Sequence, residues 1–333
     1  MEERRIRYLS AADVSAAMPP VAERIALAER TMTALVADAE LPPKIGVHPR
    51  PHGSFAHAMP ALLRDTRGSA TSDLLGIKWV AGFPDNRASG LPAINAVVVL
   101  NDAGSGLPRA ILDGGPITAQ RTAAVSGVAL DRFRPTELGR PPRAAIVGAG
   151  VQGHSHLEVL GHLLPGVDLV VHDVHPDRAA ALAEAARATA GIKDATVAGS
   201  ARDAVRDADV VVTAASFTDP EHRQAMTPDW LAPDALVIPV DYATLCSARV
   251  ARDAALFLVD DVGQFVANRD AGQFDGYPDP TGTLGEAVLA GTQRPVRGRV
   301  VATHLGVGLA DVVFADAILA RAETVGLGTV LSA

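Results

Sequence analysis

The sequence predicts an α/β fold in which a doubly wound parallel sheet is joined to a discontinuous α+β domain. Three observations predict it. A glycine-rich turn, Gly148 to Gly153, follows an apolar run and opens a helical pattern. After residue 143 short apolar runs alternate with helical stretches, the rhythm of a parallel sheet. Before it, four short apolar segments bounded by turn residues lie between 53 and 112, which suggests a small, mainly antiparallel sheet. With 333 residues, 48% of them hydrophobic and 20% charged, the chain can bury two ordinary cores.

Taken in order, residues 10–38 read as helices, with Val21, Ile25, Ala28 and Met32 approximating one apolar face. The segments 53–62, 75–81, 93–101 and 109–112 read as strands, and 118–130 as a helix. At Glu137–Arg143 two prolines and a glycine interrupt the pattern, and the domain boundary is expected there. Beyond it, 143–147, 168–173, 208–215, 235–241 and 255–259 read as strands, and 152–164 and 176–190 as helices. A last alanine-rich helix, 308–325, is expected to return to the first domain. The division is therefore 1–138 plus about 308–333 against 139–307.

Composition excludes several functions. A net charge of -8 repels nucleic acid phosphates and anionic lipid. No apolar run approaches the roughly 20 residues of a membrane helix, and the first residues lack the apolar core of a signal peptide. Cys246 is the single cysteine, so no intramolecular disulfide forms and the reducing cytoplasm is the expected compartment. The histidine groups 48/52/57 and 154/156/162 lack the companions and spacing of a metal site, so no metal is expected. No G-x-S-x-G elbow occurs.

The motif Gly148, Gly150, Gly153 is G-x-G-x-x-G in its required place, between a strand and a helix. Gly148 permits the tight turn, Gly150 lets the backbone approach a pyrophosphate, and Gly153 allows close helix–strand packing. The helix start at Val151 and Gln152 offers N–H groups to phosphates. Asp173, at the end of the next strand, stands where a carboxylate accepts from ribose hydroxyls. A Rossmann-type domain binding NAD or NADP follows, with NAD favoured by Asp173 and with His175 and Arg178 near enough to serve a 2′-phosphate.

Met59-Pro60, the block 76–86 (GIKWVAGFPDN), Gly90-Leu91-Pro92, Asp113-Gly114, the block 118–124 (TAQRTAA) and Val240-Asp241 are similar in identity and order to the ornithine cyclodeaminase/mu-crystallin family. The resemblance spans most of residues 40–325. It implies a homodimer and hydride transfer between NAD(P) and the α carbon of a small amino or imino acid, as in amino acid dehydrogenases and ketimine reductases. It implies that Arg121 clamps the substrate carboxylate, a task suited to a planar guanidinium, and that Lys78 contacts the carboxylate or the reacting centre. Asp241 is implied as the acid/base, exchanging a proton with the substrate nitrogen. Lys44, in preference to Arg50, is implied as a further carboxylate contact, with Met59 and His57 beside it, and Thr122 and His304 join the cofactor site.

Alternatives remain. Deaminating cyclisation of ornithine is one, but the family's cyclodeaminases carry a glutamate where this chain has His57, and an imidazole does not replace a carboxylate as partner to an ammonium group. A non-catalytic, NADPH-dependent small-ligand binder is another. The stretch 53–72 is longer than in the cyclodeaminases, and 264–280, polar and glycine-containing, is expected as a loop that covers substrate or merely connects elements. Asp311 is expected in solvent.

Overall fold

The computed structural model describes residues 5–65 and 72–332, so residues 66–71 of the long stretch 53–72 lie outside the described residues. Along the chain the elements begin with β1 (Arg5–Leu9), α1 (Ala11–Ala16), α2 (Val21–Ala37), β2 (Ala39–Glu40), β3 (Ile45–Val47), β4 (Phe55–Leu63), β5 (Leu74–Gly82), β6 (Ile94–Asp102), β7 (Pro108–Asp113) and α3 (Gly114–Phe133). There follow β8 (Arg143–Val147), α4 (Val151–Leu163), β9 (Val167–His172), α5 (Pro176–Arg187), β10 (Ile192–Val197), α6 (Ala201–Val205), β11 (Val210–Thr213) and β12 (Leu236–Pro239). The last are α7 (Ala248–Arg252), β13 (Leu256–Val259), α8 (Val262–Asp270), β14 (Gly282–Thr283), α9 (Leu284–Leu289), β15 (Val300–Ala302), α10 (Gly308–Val325) and β16 (Thr329–Ser332).

Contacts divide the chain into Met1–Arg121 with Gly306–Ala333, and Thr122–Leu305. The first change of unit falls inside α3, ahead of the expected boundary at 138/139. A helix satisfies its backbone within itself, so it passes from one unit to the next without a proline or glycine break. Pro141 and Pro142 instead punctuate the link from α3 to β8.

The first unit is a mixed sheet in the order β16-β1-β7-β6-β5-β4-β2, with β3 pairing β4. Its centre, β4 to β7, is antiparallel as expected, while β1 runs parallel to β7. Alternation sets the faces. Met59, Lys78 and Val98 lie opposite one another on β4, β5 and β6 and are buried, and α10 packs against those strands. The helices expected over 10–38 are α1 and α2, separated at Met18, Pro19 and Pro20 because proline cannot supply the N–H of a helix interior. Of the expected four-residue face, Ala28 and Met32 are buried, while Val21 and Ile25 are half-buried.

The second unit is a parallel sheet in the order β10-β9-β8-β11-β12-β15-β13-β14. Every residue of β11, β12, β13 and β15 is buried, which explains their unbroken apolar runs. Strand order reverses between β8 and β11, and such a switch point opens a crevice at the carboxyl edge. The expected loop 264–280 is different from its composition: α8 covers its start, and Phe265, Phe274 and Tyr277 are buried together. The three rings fill core, so the segment is not a mobile cover. Cys246 lies buried in the same cluster.

Candidate active site

At the carboxyl edge of the parallel sheet, β8, β9, β12 and β15 each lead into one candidate group. β8 leads into Gly148, whose φ of +108° and close approach to Ala214 leave no room for a side chain: a Cβ would stand 2.3 Å from the Ala214 carbonyl oxygen. Gly150 caps α4 without a side chain, and a Cβ there would meet open space. The start of α4 therefore carries no side chain at its cap, and helix-start N–H groups of this kind suit an anion. Val151 is 71% exposed beside the cap, whereas Gly153 packs on the Gly148 carbonyl and Leu182. Asp173 follows β9, and its two oxygens accept from the Ala149 and His175 N–H groups at 2.7 and 2.8 Å. The carboxylate is thus fixed against the glycine turn.

β12 leads into Asp241, 3% exposed. Its Oδ1 accepts from Thr213 Oγ1 at 2.8 Å and its Oδ2 from the Ala215 N–H at 3.1 Å. Burial pushes its carboxyl up to about 7, against the opposing effect of those two donors. Tyr242 follows with φ of 59°, a left-handed conformation that costs a non-glycine residue energy. Its hydroxyl donates to the Leu305 carbonyl, and its ring stacks on Phe274.

β15 leads into His304, also buried. Its Nε2 lies 2.9 Å from Ser126 Oγ, and the same hydroxyl lies 2.8 Å from His156 Nε2. The direction of this chain follows from its end. His156 Nδ1 meets the Gln152 carbonyl at 2.6 Å, and a carbonyl only accepts, so Nδ1 carries the proton. Burial holds His156 down to about 4, hence neutral, with Nε2 an acceptor. Ser126 therefore donates to His156 and accepts from His304 Nε2–H. The chain runs from His304 to Gln152 at the glycine turn, and Thr122, four residues before Ser126 on α3, is buried too. Sequence reading missed Ser126, His156 and Asp260, a buried carboxylate whose Oδ2 accepts from the Leu305 N–H at 2.9 Å.

The first unit holds a separate cluster. Lys78 is buried on β5, and its Nζ lies 3.0 Å from Asp311 Oδ1. Arg121 Nε lies 3.3 Å from the same oxygen. Asp311, expected in solvent, is fully buried. Its helix is apolar nearly all round, and α10 approaches the sheet so closely that a Cβ on Gly308 would stand 2.5 Å from the Met59 carbonyl oxygen. Burial pushes the Lys78 ammonium down to about 8; Asp311 holds it up, while Arg121 and Lys44 depress it further. Gly306, with φ of +80°, lies against the guanidinium, where a Cβ would be 2.6 Å from Arg121 Nη1.

Met59 is buried opposite Lys78. His57, half-buried, stacks on Phe55 with ring centroids 4.6 Å apart. Burial, then Lys44 and His48, hold its imidazole below the ordinary value, which favours the neutral ring. Lys44 is half-buried and Arg50 exposed. Among the described residues no three His, Cys, Asp or Glu side chains converge as a metal site, and no helix is long and apolar enough to cross a membrane.

Comparison with known proteins places these features in a family. The model described as "Ornithine cyclodeaminase/mu-crystallin family" matches residues 10–254. The chain is 34% identical over 336 residues to the nodulation efficiency protein NfeD of Rhizobium meliloti, covering 98% of each. It is 31% identical over 261 residues to Delta(1)-pyrroline-2-carboxylate reductase 1 of Burkholderia multivorans, covering 77% of each. The solved structure of Thermococcus litoralis Delta(1)-pyrroline-2-carboxylate reductase, in complex with NADH and L-proline, superposes with a TM-score of 0.83 at 26% identity, over 97% of this chain and 99% of that one.

Proposed function

Because this chain belongs to the ornithine cyclodeaminase/mu-crystallin family, we propose that it is an NAD(P)-dependent oxidoreductase that reduces the C=N bond of a small cyclic imino acid. The observation that carries this reading is Asp241: a buried carboxyl at the switch-point edge that holds its proton up to about pH 7. A neutral pH value suits a group that both gives and takes protons.

When bound, the nicotinamide supplies hydride to the α carbon, or takes it in the reverse direction. The glycine turn Gly148–Gly153 and the N-terminal end of α4 hold the pyrophosphate. Asp173 presents a fixed negative charge on the ribose side, which favours NAD over the 2′-phosphate of NADP. His304 is held in one tautomer by Ser126 and His156. Lys78 and Arg121 bind the substrate carboxylate, with Lys44 and Met59 near it. In reduction Asp241 gives its proton to the substrate nitrogen and is left as carboxylate; in oxidation it takes that proton back. Thr213 and the Ala215 N–H stabilise the carboxylate and fix its direction.

Cyclisation of ornithine is less well served. His57, favoured as the neutral ring, offers no negative charge to a distal ammonium. The name of the Burkholderia relative and the ligands of the Thermococcus structure support the reductase reading. The enzyme acts as a homodimer. Trp79 and Val97, 45% and 39% exposed, lie opposite each other on β5 and β6 with side chains on the face away from Lys78. A second copy covering that apolar face removes it from water. The buried free Cys246 suits the cytoplasm.

Purified protein with NADH or NADPH and a panel of cyclic imino acids tests the reading. Consumption of reduced nicotinamide with a cyclic imino carboxylate is expected. Ammonia release from ornithine without net change in the nicotinamide, and silence on the imine panel, would replace it with cyclodeamination.

A further inference from the structure

We propose that Asp311 is the positioning residue of the carboxylate-binding pair, gathering Lys78 Nζ and Arg121 Nε on one oxygen so that two buried cations stand ready for a single substrate carboxylate. The proposal rests on the reading of Lys78 and Arg121 as carboxylate binders, and it assigns a role to a residue on a helix otherwise devoted to packing.

The geometry carries it. Asp311 is fully buried on α10, yet it projects its charge to β5 and α3, 233 and 190 residues away in sequence. A fully buried carboxylate costs more than its ion pairs return unless its partners are well placed, so packing alone gives no reason to keep one. Among the described residues its hydrogen bonds go to these two cations through Oδ1, and Oδ2 has none. The carboxylate therefore acts wholly on the pair.

The way it holds Arg121 matters. Bonding through Nε occupies one position of the five-donor fork and leaves the Nη groups for another acceptor. Gly306 gives the guanidinium the room it needs, since any Cβ would overlap Nη1 and Nη2.

Charge balance points the same way. Two cations and one anion leave one positive charge, which a monocarboxylate neutralises. Without Asp311 the empty site would bury two like charges side by side, and Lys78 would lose its proton more easily. The charged groups acting on Lys78 are Asp311 from α10, Arg121 from α3 and Lys44 from the segment before β3. Only Asp311 among them favours the ammonium.

The test uses the full chain with Asp311→Asn and Asp311→Glu, read by kinetics on a cyclic imino carboxylate, by NADH binding fluorescence, and by NMR of isotope-labelled lysine, with the Lys78 signal assigned from Lys78→Arg. In Asp311→Asn the substrate KM is expected to rise about tenfold or more, the effect of losing a charged hydrogen bond, with NADH affinity unchanged. The alkaline fall of kcat/KM moves to lower pH, and the Lys78 titration midpoint drops below that of the parent. Asp311→Glu, which keeps the charge and displaces it by one methylene, holds the Lys78 midpoint near the parent value and recovers part of the KM. If Asp311→Asn does not fold, the Glu variant decides alone: a Lys78 midpoint that falls with the charge still present overturns the proposal. So does an unchanged KM and Lys78 midpoint in Asp311→Asn. Failure of the parent to turn over any imino acid would instead overturn the reductase reading, and the lysine titration remains readable in that case.

Discussion

Replacing Asp241 by Asn should separate stability from chemistry. The folded chain keeps the Asp241 proton up to about pH 7, whereas the ordinary carboxyl value is 3.8. Between those values the unfolded chain has released the proton and the folded chain has not, so stability falls as pH rises through the window and levels off above it. At about 1.4 kcal/mol for each pH unit, the loss reaches at most about 4 kcal/mol by neutral pH. Asn carries no charge at any pH. It can also keep the local bonds, with its oxygen accepting from the Ala215 N–H and its amide donating to Thr213 Oγ1, a hydroxyl that serves as donor or acceptor. The variant is therefore expected to match the parent near pH 4 and to exceed it at pH 8, by several degrees at about 2–4 °C per kcal/mol for a unit of this size. Turnover in the same variant should fall by about 10²–10⁴, the usual contribution of a general acid, while NADH affinity is retained. Thermal melts at a series of pH values from 4 to 8 measure the first effect. Parallel melting curves for parent and variant across that range would refute the account of Asp241 as a buried group protonated in the folded state; undiminished turnover would remove it from the mechanism.

Other substitutions probe the remaining parts. Gly306→Ala forces a left-handed φ on a residue with a Cβ and presses on Arg121 Nη1, so KM for the imino acid should rise with NADH affinity unchanged; a KM equal to the parent's would mean that Arg121 is not the carboxylate clamp. Ser126→Ala removes the hydroxyl between His156 and His304 and should cost about 1–3 kcal/mol in chemical denaturation, as expected when a buried acceptor loses its donor; an unchanged midpoint would contradict the hydrogen-bond chain. Trp79→Lys places a charge on the open sheet face and is expected to halve the mass seen by light scattering; an unaltered mass would put the dimer contact elsewhere.

The two halves of the molecule differ in how much their sequences disclose. Gly148, Gly150 and Gly153 were legible as a spaced motif running from β8 into α4, and Asp173 and Asp241 because each follows the apolar run of a strand and stands where chemistry requires it. Lys78 was legible for the opposite reason, as a lone charge within such a run. Asp311 gave no such contrast. It sits early in an alanine-rich helix, where one acid reads as an ordinary N-terminal residue, and its partners are distant in sequence. The segment 264–280 misled because its Gly, Asp and Pro residues read as a loop while Phe265, Phe274 and Tyr277 decide its place. Strands β2, β3, β14 and β15, of two or three residues each, are too short to show a period, and the longer β1, β10 and β16 were missed as well. These longer three lie at or near sheet edges, with β10 and β16 largely exposed, so they lack the apolar periodicity that marks a buried strand.

The fate of the transferred hydrogen tests the central claim most directly. NADH deuterated at its transferable position, incubated with a cyclic imino carboxylate, should yield one deuterium at the α carbon of the amino acid product for each NADH oxidised. A product that forms without deuterium, or nicotinamide that stays reduced while the nucleotide is bound, would contradict the reductase account.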